Sequence, residues 1–280
     1  MASFQEVMDK LHFPVGPQRD AAKELAKSMA PSRLQEAWSE GRYYLLPSFM
    51  QFLAFLAKHQ DRFDFKLVFR TFGDDIPEVA KEIEMLVDGT HPFCVEHEPL
   101  PAVFRLDATS SQVGTFYRNG FGADGTALAV GTLQKVPFTS EHQSGIDAAA
   151  AFYRDAQQQQ DVHIVRGFDA IRTQIHEMTK SHATIALRDY WEWWSAHAEN
   201  GDYGKLLLVD TRGDNDEISI FFDDHIEAHH AHIVDVRDVA TGAPVPFDES
   251  KGRYLQRVEP FAAITDSQYF INVVSHLLKE

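Results

Sequence analysis

The chain of 280 residues reads as an α/β protein: a three-layer sandwich with a mainly parallel sheet, interrupted by an α+β insertion over residues 98–165. Three observations predict this. The runs "KLVF", "KLLLV" and "SIFF" are apolar without the alternation of a half-exposed strand, as in sheets covered on both faces. Segments with apolar residues at 3–4 spacing lie between strand signals, with short connections. Each apolar run also ends in polar residues: Arg70-Thr71, Asp210, and Asp223-Asp224. Carboxyl ends of parallel strands line the ligand crevice of open α/β sheets.

The elements follow in order. Residues 18 to 40 are helical with a break at Pro31-Ser32 and a stop at Gly41. Pro47 suits the first turn of the next helix, whose Phe49, Phe52, Leu53 and Leu56 share a face. "FKLVFRTFG" is a strand buried on both faces, and "DDIPEVAKEIEMLVDG" an amphipathic helix closed by Gly89. The alternating, Gly-punctuated stretch from Ala102 to Leu133 reads as antiparallel strands, with "GFGADG" as a hairpin turn. "GIDAAAAFYRDAQQQQ" is a helix and "DVHIVRG" a short strand, and residues 168 to 197 read as one long helical region. "GKLLLVD", "EISIFFDD" and "AHIVDVRD" are three strands, and "DSQYFINVVSHLLKE" is the closing helix. The segment 98–165 thus interrupts the α/β pattern of 1–97 and 166–280.

Composition narrows the function classes. Hydrophobic residues are 44% and charged residues 24%, ordinary for a soluble globular protein. The 42 acidic against 26 basic residues give a net charge of -16, which repels phosphate backbones and argues against nucleic acid as a partner. A small anionic substrate stays compatible, because a local cation outweighs the global field. Cys94 is the only cysteine, which excludes an intrachain disulfide and fits a cytoplasmic setting. The N-terminus lacks the apolar core of a signal peptide, and no stretch approaches the ~18 apolar residues of a membrane span.

Adjacent carboxylates at a strand end suit a hard cation such as magnesium, which makes Asp223 and Asp224 the candidate metal ligands. The histidines that follow include His225 and His229 at i, i+4, a zinc-binding spacing only on a helix. Since this segment runs into a strand and has no thiol, the histidines read as a polar loop without a tight transition-metal site. Trp191 and Trp194 share a helical face and read as core, whereas Trp193 points elsewhere.

Taken together, "LLPSF", "FKLVFRTFG", "YGKLLLVD" and "ISIFFDDHI" resemble the haloacid dehalogenase (HAD-like) superfamily, and within it uncharacterised HAD-like proteins of eukaryotic microbes. The resemblance covers most of the chain and is most specific at 65–75 and 204–226. It implies a HAD-like core of 1–97 and 166–280 with a cap-like insertion at 98–165, and Thr71 and Lys205 as catalytic residues around a phosphoryl group. Phosphate would be bound by Arg70, Thr71, Gly73 and Lys205, and Mg2+ by Asp223 and Asp224. One departure stands out. The family's first strand ends in Asp-x-Asp, whose first carboxylate attacks phosphorus. Ahead of Thr71 the aspartates are Asp9, Asp20, Asp61 and Asp64, and none follows an apolar strand. Two explanations stay open: a chain shortened at its N-terminus, or a family member without the nucleophile. The resemblance therefore implies a magnesium-dependent phosphohydrolase of a small phosphorylated molecule if that motif is supplied. The alternative is a catalytically inactive HAD-like binding or interaction protein.

Overall fold

Thr184–Arg188 is the strand on which the largest sheet is assembled, although the sequence there reads as the middle of a helix. The computed structural model describes residues 4–135, 162–212 and 218–278. Its strands are β1 Leu67–Thr71, β2 Val113–Arg118, β3 Thr126–Val130, β4 His163–Arg166, β5 Thr184–Arg188, β6 Lys205–Val209, β7 Phe221–Asp223, β8 Val234–Asp238 and β9 Leu255–Arg257. The helices are α1 Phe4–Lys10, α2 Pro17–Ala26, α3 Arg33–Ser39, α4 Pro47–Lys58, α5 Ile76–Val87, α6 Phe168–Ser181, α7 Trp191–Ala196, α8 Phe247–Ser250, α9 Pro260–Thr265 and α10 Tyr269–Leu277. The helix expected over 145–160 lies outside the described residues. The chain divides into two compact units, one of 1–65, 77–106 and 259–280, the other of 66–76 and 107–258.

All described strands belong to the second unit. Five form one sheet in the order β1-β5-β2-β3-β4. β5 runs parallel to both β1 and β2, while β2–β3 and β3–β4 are antiparallel. The protein is therefore α/β, but its five-stranded sheet is mixed rather than mainly parallel. The physical reason is the turn at 119–125, which sends β3 straight back along β2. Its closure, Asn119 N–H to the Gly125 carbonyl at 2.9 Å, leaves no room for a side chain: a Cβ on Gly125 would lie 2.7 Å from the Gly120 Cα. β2 and β3 fall in the stretch read as an insertion, yet they hydrogen-bond into the sheet that carries β1 and β5.

Alternation along the strands divides the packing between two faces. Phe116, Ile185 and Leu187 meet Ile171 and Met178 of α6 and Leu206 of β6, while Tyr117, Ala127 and Ala129 pack with Tyr190. Burying each large apolar side chain of this kind contributes about 1.5–3 kcal/mol. β6 and β8 form a separate parallel pair, as do β7 and β9. β6 is covered on both faces as expected. Leu206 and Leu208 face α6, and Leu207 and Val209 pack with Phe221, Val236 and Leu255.

Three expectations change. β1 has a hydrogen-bonded neighbour on one side in its sheet, and Val68 is 38% exposed, so the strand is not buried on both faces. The region 168–197 is α6, β5 and α7 in succession, since β5 is completely buried and its Thr184-Ile185 pair suits a strand. Trp194 is core, but Trp191, the first residue of the six-residue α7, is 45% exposed.

Helices make up most of the first unit. Ser32 caps α3 by accepting from Gln35 N–H at 3.1 Å, and Pro47 opens α4. Phe13, Ala22, Leu34, Trp38 and Met85 form its core. Beside them lies a fully buried polar pair. His91 Nδ1 accepts from Phe93 N–H, so Nε2 carries the proton and donates to Glu82 at 3.0 Å. The other Glu82 oxygen accepts from Leu45 N–H at 3.0 Å. Replacing Glu82 with Ala orphans the buried His91 donor and the part-buried Leu45 N–H, and we expect a loss of about 3 kcal/mol in urea unfolding. A loss within 1 kcal/mol, on the order of a surface substitution, would contradict this account.

Candidate functional site

Lys205 and Asp223 form the centre of the candidate site. They start β6 and end β7, and Lys205 Nζ lies 2.7 Å from Asp223 Oδ2 with both side chains under one-tenth exposed. β6 begins at Lys205 because Gly204 lets the chain pass against β8. A Cβ on Gly204 would sit 2.2 Å from the Ile233 carbonyl oxygen, and Lys205 N–H donates to that oxygen at 2.7 Å. The Lys205 ammonium also stands 5.3 Å from the Phe72 ring centre and 6.0 Å from that of Phe221. Asp223 Oδ1 accepts from His225 N–H at 2.9 Å, and Asp224 Oδ1 lies 3.1 Å from His225 Nδ1. Asp224 and His225 are exposed.

The structure brings some predicted residues together and separates others. Asp223 does not end a central strand of the five-stranded sheet; it closes a three-residue strand paired with β9. Thr71 ends β1 as expected, but its hydroxyl accepts from Gly73 N–H at 2.8 Å and sits 3.4 Å from Asp75. The residue from this segment that reaches Lys205 is Phe72. Gly73 also accepts from Arg188 Nε at 3.0 Å, and Arg188 pairs with Asp74 at 2.8 Å. Arg70 projects to the opposite face of β1 from Thr71. Its Nε donates to Asp189 at 2.9 Å and its Nη2 to the Leu206 carbonyl at 3.0 Å, with Phe116 and Phe221 against the guanidinium. Asp210 is held locally, accepting from Arg212 N–H at 3.1 Å with Arg172 at 3.9 Å.

Asp189, Arg188 and Phe72 were missed by sequence reasoning. Arg188 ends β5 and Asp189 follows it, so reading that strand as helix hid both. Phe72 looked like an ordinary apolar residue, and nothing in the sequence marks a ring that will cover an ammonium.

As a cation site, the acidic end of β7 has suitable donors. Asp223, Asp224 and His225 offer ligand atoms within 4.8 Å of one another. Each Asp223 oxygen keeps a lone pair beyond its present partner, so the two carboxylates fit a hard ion such as Mg2+. Such an ion would polarise a phosphoryl oxygen.

A second acid governs the far end of the β6–β8 pair. Asp238 accepts from the Thr211 hydroxyl at 2.7 Å and from Thr241 N–H and Oγ1, each at 2.8 Å. These bonds, the Thr211 hydroxyl foremost, hold its carboxyl well below the usual range. A carboxyl whose folded value is depressed adds stability that is complete above about pH 4 and lost as pH falls through the folded value. The stability gap between the wild type and Asp238→Ala is expected to be widest near neutrality and to narrow as pH falls below about 4. A gap independent of pH would contradict this.

Lys205→Met leaves the Asp223 carboxylate uncompensated and is expected to cost about 3 kcal/mol, most of it recovered in the double variant with Asp223→Leu. Denaturant unfolding of the four proteins measures it; additive losses would show that the ion pair is not the coupled unit. Comparisons with protein-family models, with curated proteins and with solved structures found no match to this chain.

Proposed function

We propose that the Lys205–Asp223 centre is a magnesium-assisted phosphate-binding site of the HAD type, in a chain that binds a small phosphorylated molecule. The observation that carries this reading is the Lys205–Asp223 contact of 2.7 Å. It joins two residues to which the resemblance gives separate roles, a phosphate-neutralising cation and a metal-binding acid. In this reading Asp223 and Asp224 would hold Mg2+, and Lys205 would be the cation that neutralises the phosphate. Thr71 and Gly73 supply a hydroxyl and an amide at the end of β1. Arg70 takes a supporting part, because its guanidinium is already engaged by Asp189 and Leu206. The finer HAD-like three-layer architecture and the cytoplasmic setting belong to the same proposal. Among the described residues no helix is long and apolar enough to cross a membrane.

Phosphoryl transfer through a covalent intermediate needs a carboxylate placed to attack phosphorus. Among the described carboxylates, Asp223 is the one paired with Lys205, and in this reading it is a metal ligand. Binding is therefore favoured over hydrolysis for this chain. Two expected outcomes follow. The chain hydrolyses para-nitrophenyl phosphate with magnesium no faster than buffer, and robust turnover surviving purification would point instead to an unrecognised nucleophile such as Asp210. In calorimetric titrations, inorganic phosphate binds only with magnesium present, and Asp224→Asn or Lys205→Met removes that binding. Equal phosphate affinity with and without magnesium would defeat the reading.

A further inference from the structure

The loop between β7 and β8 carries a second set of ligands that the Asp223 site does not use. Glu227, His230 and His232 place one carboxylate oxygen and two imidazole nitrogens within 4.8 Å of one another. The chain geometry accounts for the convergence. Glu227 N–H donates to the His230 carbonyl at 3.1 Å, closing a turn that sets Glu227 Oε2 3.0 Å from His230 Nε2. His232 then takes a left-handed conformation, φ 50°, unusual for a residue with a Cβ. Its carbonyl accepts from Trp194 Nε1 at 3.2 Å, and its ring stands edge-on to Trp194 at 5.6 Å and to His230 at 5.4 Å. The second imidazole is thus held over the first by a buried tryptophan.

Two further observations bear on what this set does. His230 and His232 line a cavity of about 520 Å³ between the 198–202 turn, β8 and the 244–250 segment. That volume is in the range of small-molecule sites. The net charge of -16 also favours cations at the surface.

We propose that Glu227, His230 and His232 form a site for a zinc-class divalent transition metal at the rim of this cavity. Imidazole nitrogen favours such metals over magnesium or calcium. A metal–nitrogen distance near 2.0–2.1 Å puts neighbouring ligand atoms about 3.0–3.4 Å apart; Glu227 and His230 already stand at 3.0 Å, and the full set, now within 4.8 Å, would close around the ion. Two histidines and a glutamate are three protein ligands, which leaves a coordination position for water or for an anionic group of a small ligand in the cavity. This reverses the expectation from sequence. That expectation weighed His225 and His229 at i, i+4, whereas the structure converges Glu227, His230 and His232 through a turn. The proposal does not depend on the Asp223 site being a phosphate site.

The test is a zinc titration of the full chain, freed of metal with a chelator, followed by calorimetry near neutral pH with excess magnesium present. Cobalt(II) absorption gives a second readout of imidazole ligation. One zinc ion per chain is expected to bind and to be lost in Glu227→Gln, His230→Ala and His232→Asn. Asparagine is chosen at 232 because it tolerates the left-handed backbone while removing the imidazole. His225→Ala and His229→Ala should retain the ion, and circular dichroism should show every variant folded. Absence of stoichiometric zinc binding in the wild type, its persistence in His230→Ala or His232→Asn, or its loss in His225→Ala each overturns the proposal.

Discussion

The Arg70 guanidinium is the interaction on which the second unit depends. It sits on β1, grips Asp189 at the end of β5, donates to the Leu206 carbonyl of β6, and lies against Phe116 of β2 and Phe221 of β7. One side chain thereby relates the five-stranded sheet to both smaller ladders. Arginine suits this position because its planar fork meets a carboxylate with two parallel bonds and presents flat faces to aromatic rings. A lysine would keep the charge and lose the fork. The placement of Lys205 beside Asp223 follows from this arrangement, since Leu206 is the residue after Lys205 and Phe221 lies two before Asp223.

Buried charge recurs along the same ladders. Arg118 of β2 reaches Asp235 of β8 at 2.6 Å and the Gly204 carbonyl at 3.1 Å, and Arg237 donates to the same Asp235. Burial pushes the Arg118 guanidinium down from its usual value, and the Asp235 carboxylate counters it. Charges removed from water persist only when paired and hydrogen-bonded. Pairing of that kind fixes which strand lies beside which, because a slipped register would leave the ions apart. The strand connecting these groups to the candidate site is β6, whose first residue contributes the ammonium and whose preceding glycine accepts from Arg118.

The loop from Asp223 to Ile233 concentrates the chemistry of the unit in eleven positions. Its first part carries hard oxygen donors, and its last part imidazoles, so the two ends suit different classes of metal ion. Between them Ile226 is buried with Val209 and Trp194, anchoring the loop in the apolar core.

Local chemistry was legible in the sequence wherever one residue type decides the outcome. Pro47 opens a helix, Gly89 closes one, "GFGADG" turns a hairpin, and the apolar runs before Asp210 and Asp223 are strands. The resemblance gave Lys205 and Asp223 separate roles and no contact between them, and their ion pair joins the start of one strand to the end of another. Partner choice was not legible. Nothing local distinguishes a β2 that joins the central sheet from one that forms a separate cap, because strand order is decided by long-range hydrogen bonds. β5 escaped notice because "TIALRDYWEWW" is compatible with helix until the gap between β1 and β2 claims it. The Glu227, His230 and His232 convergence likewise depends on a left-handed residue and a tryptophan from another element. The sequence by itself determined the periods, stops and charges. Tertiary packing decided which strands pair and which side chains meet, since those outcomes are set by burial and ion pairing between segments far apart in the chain.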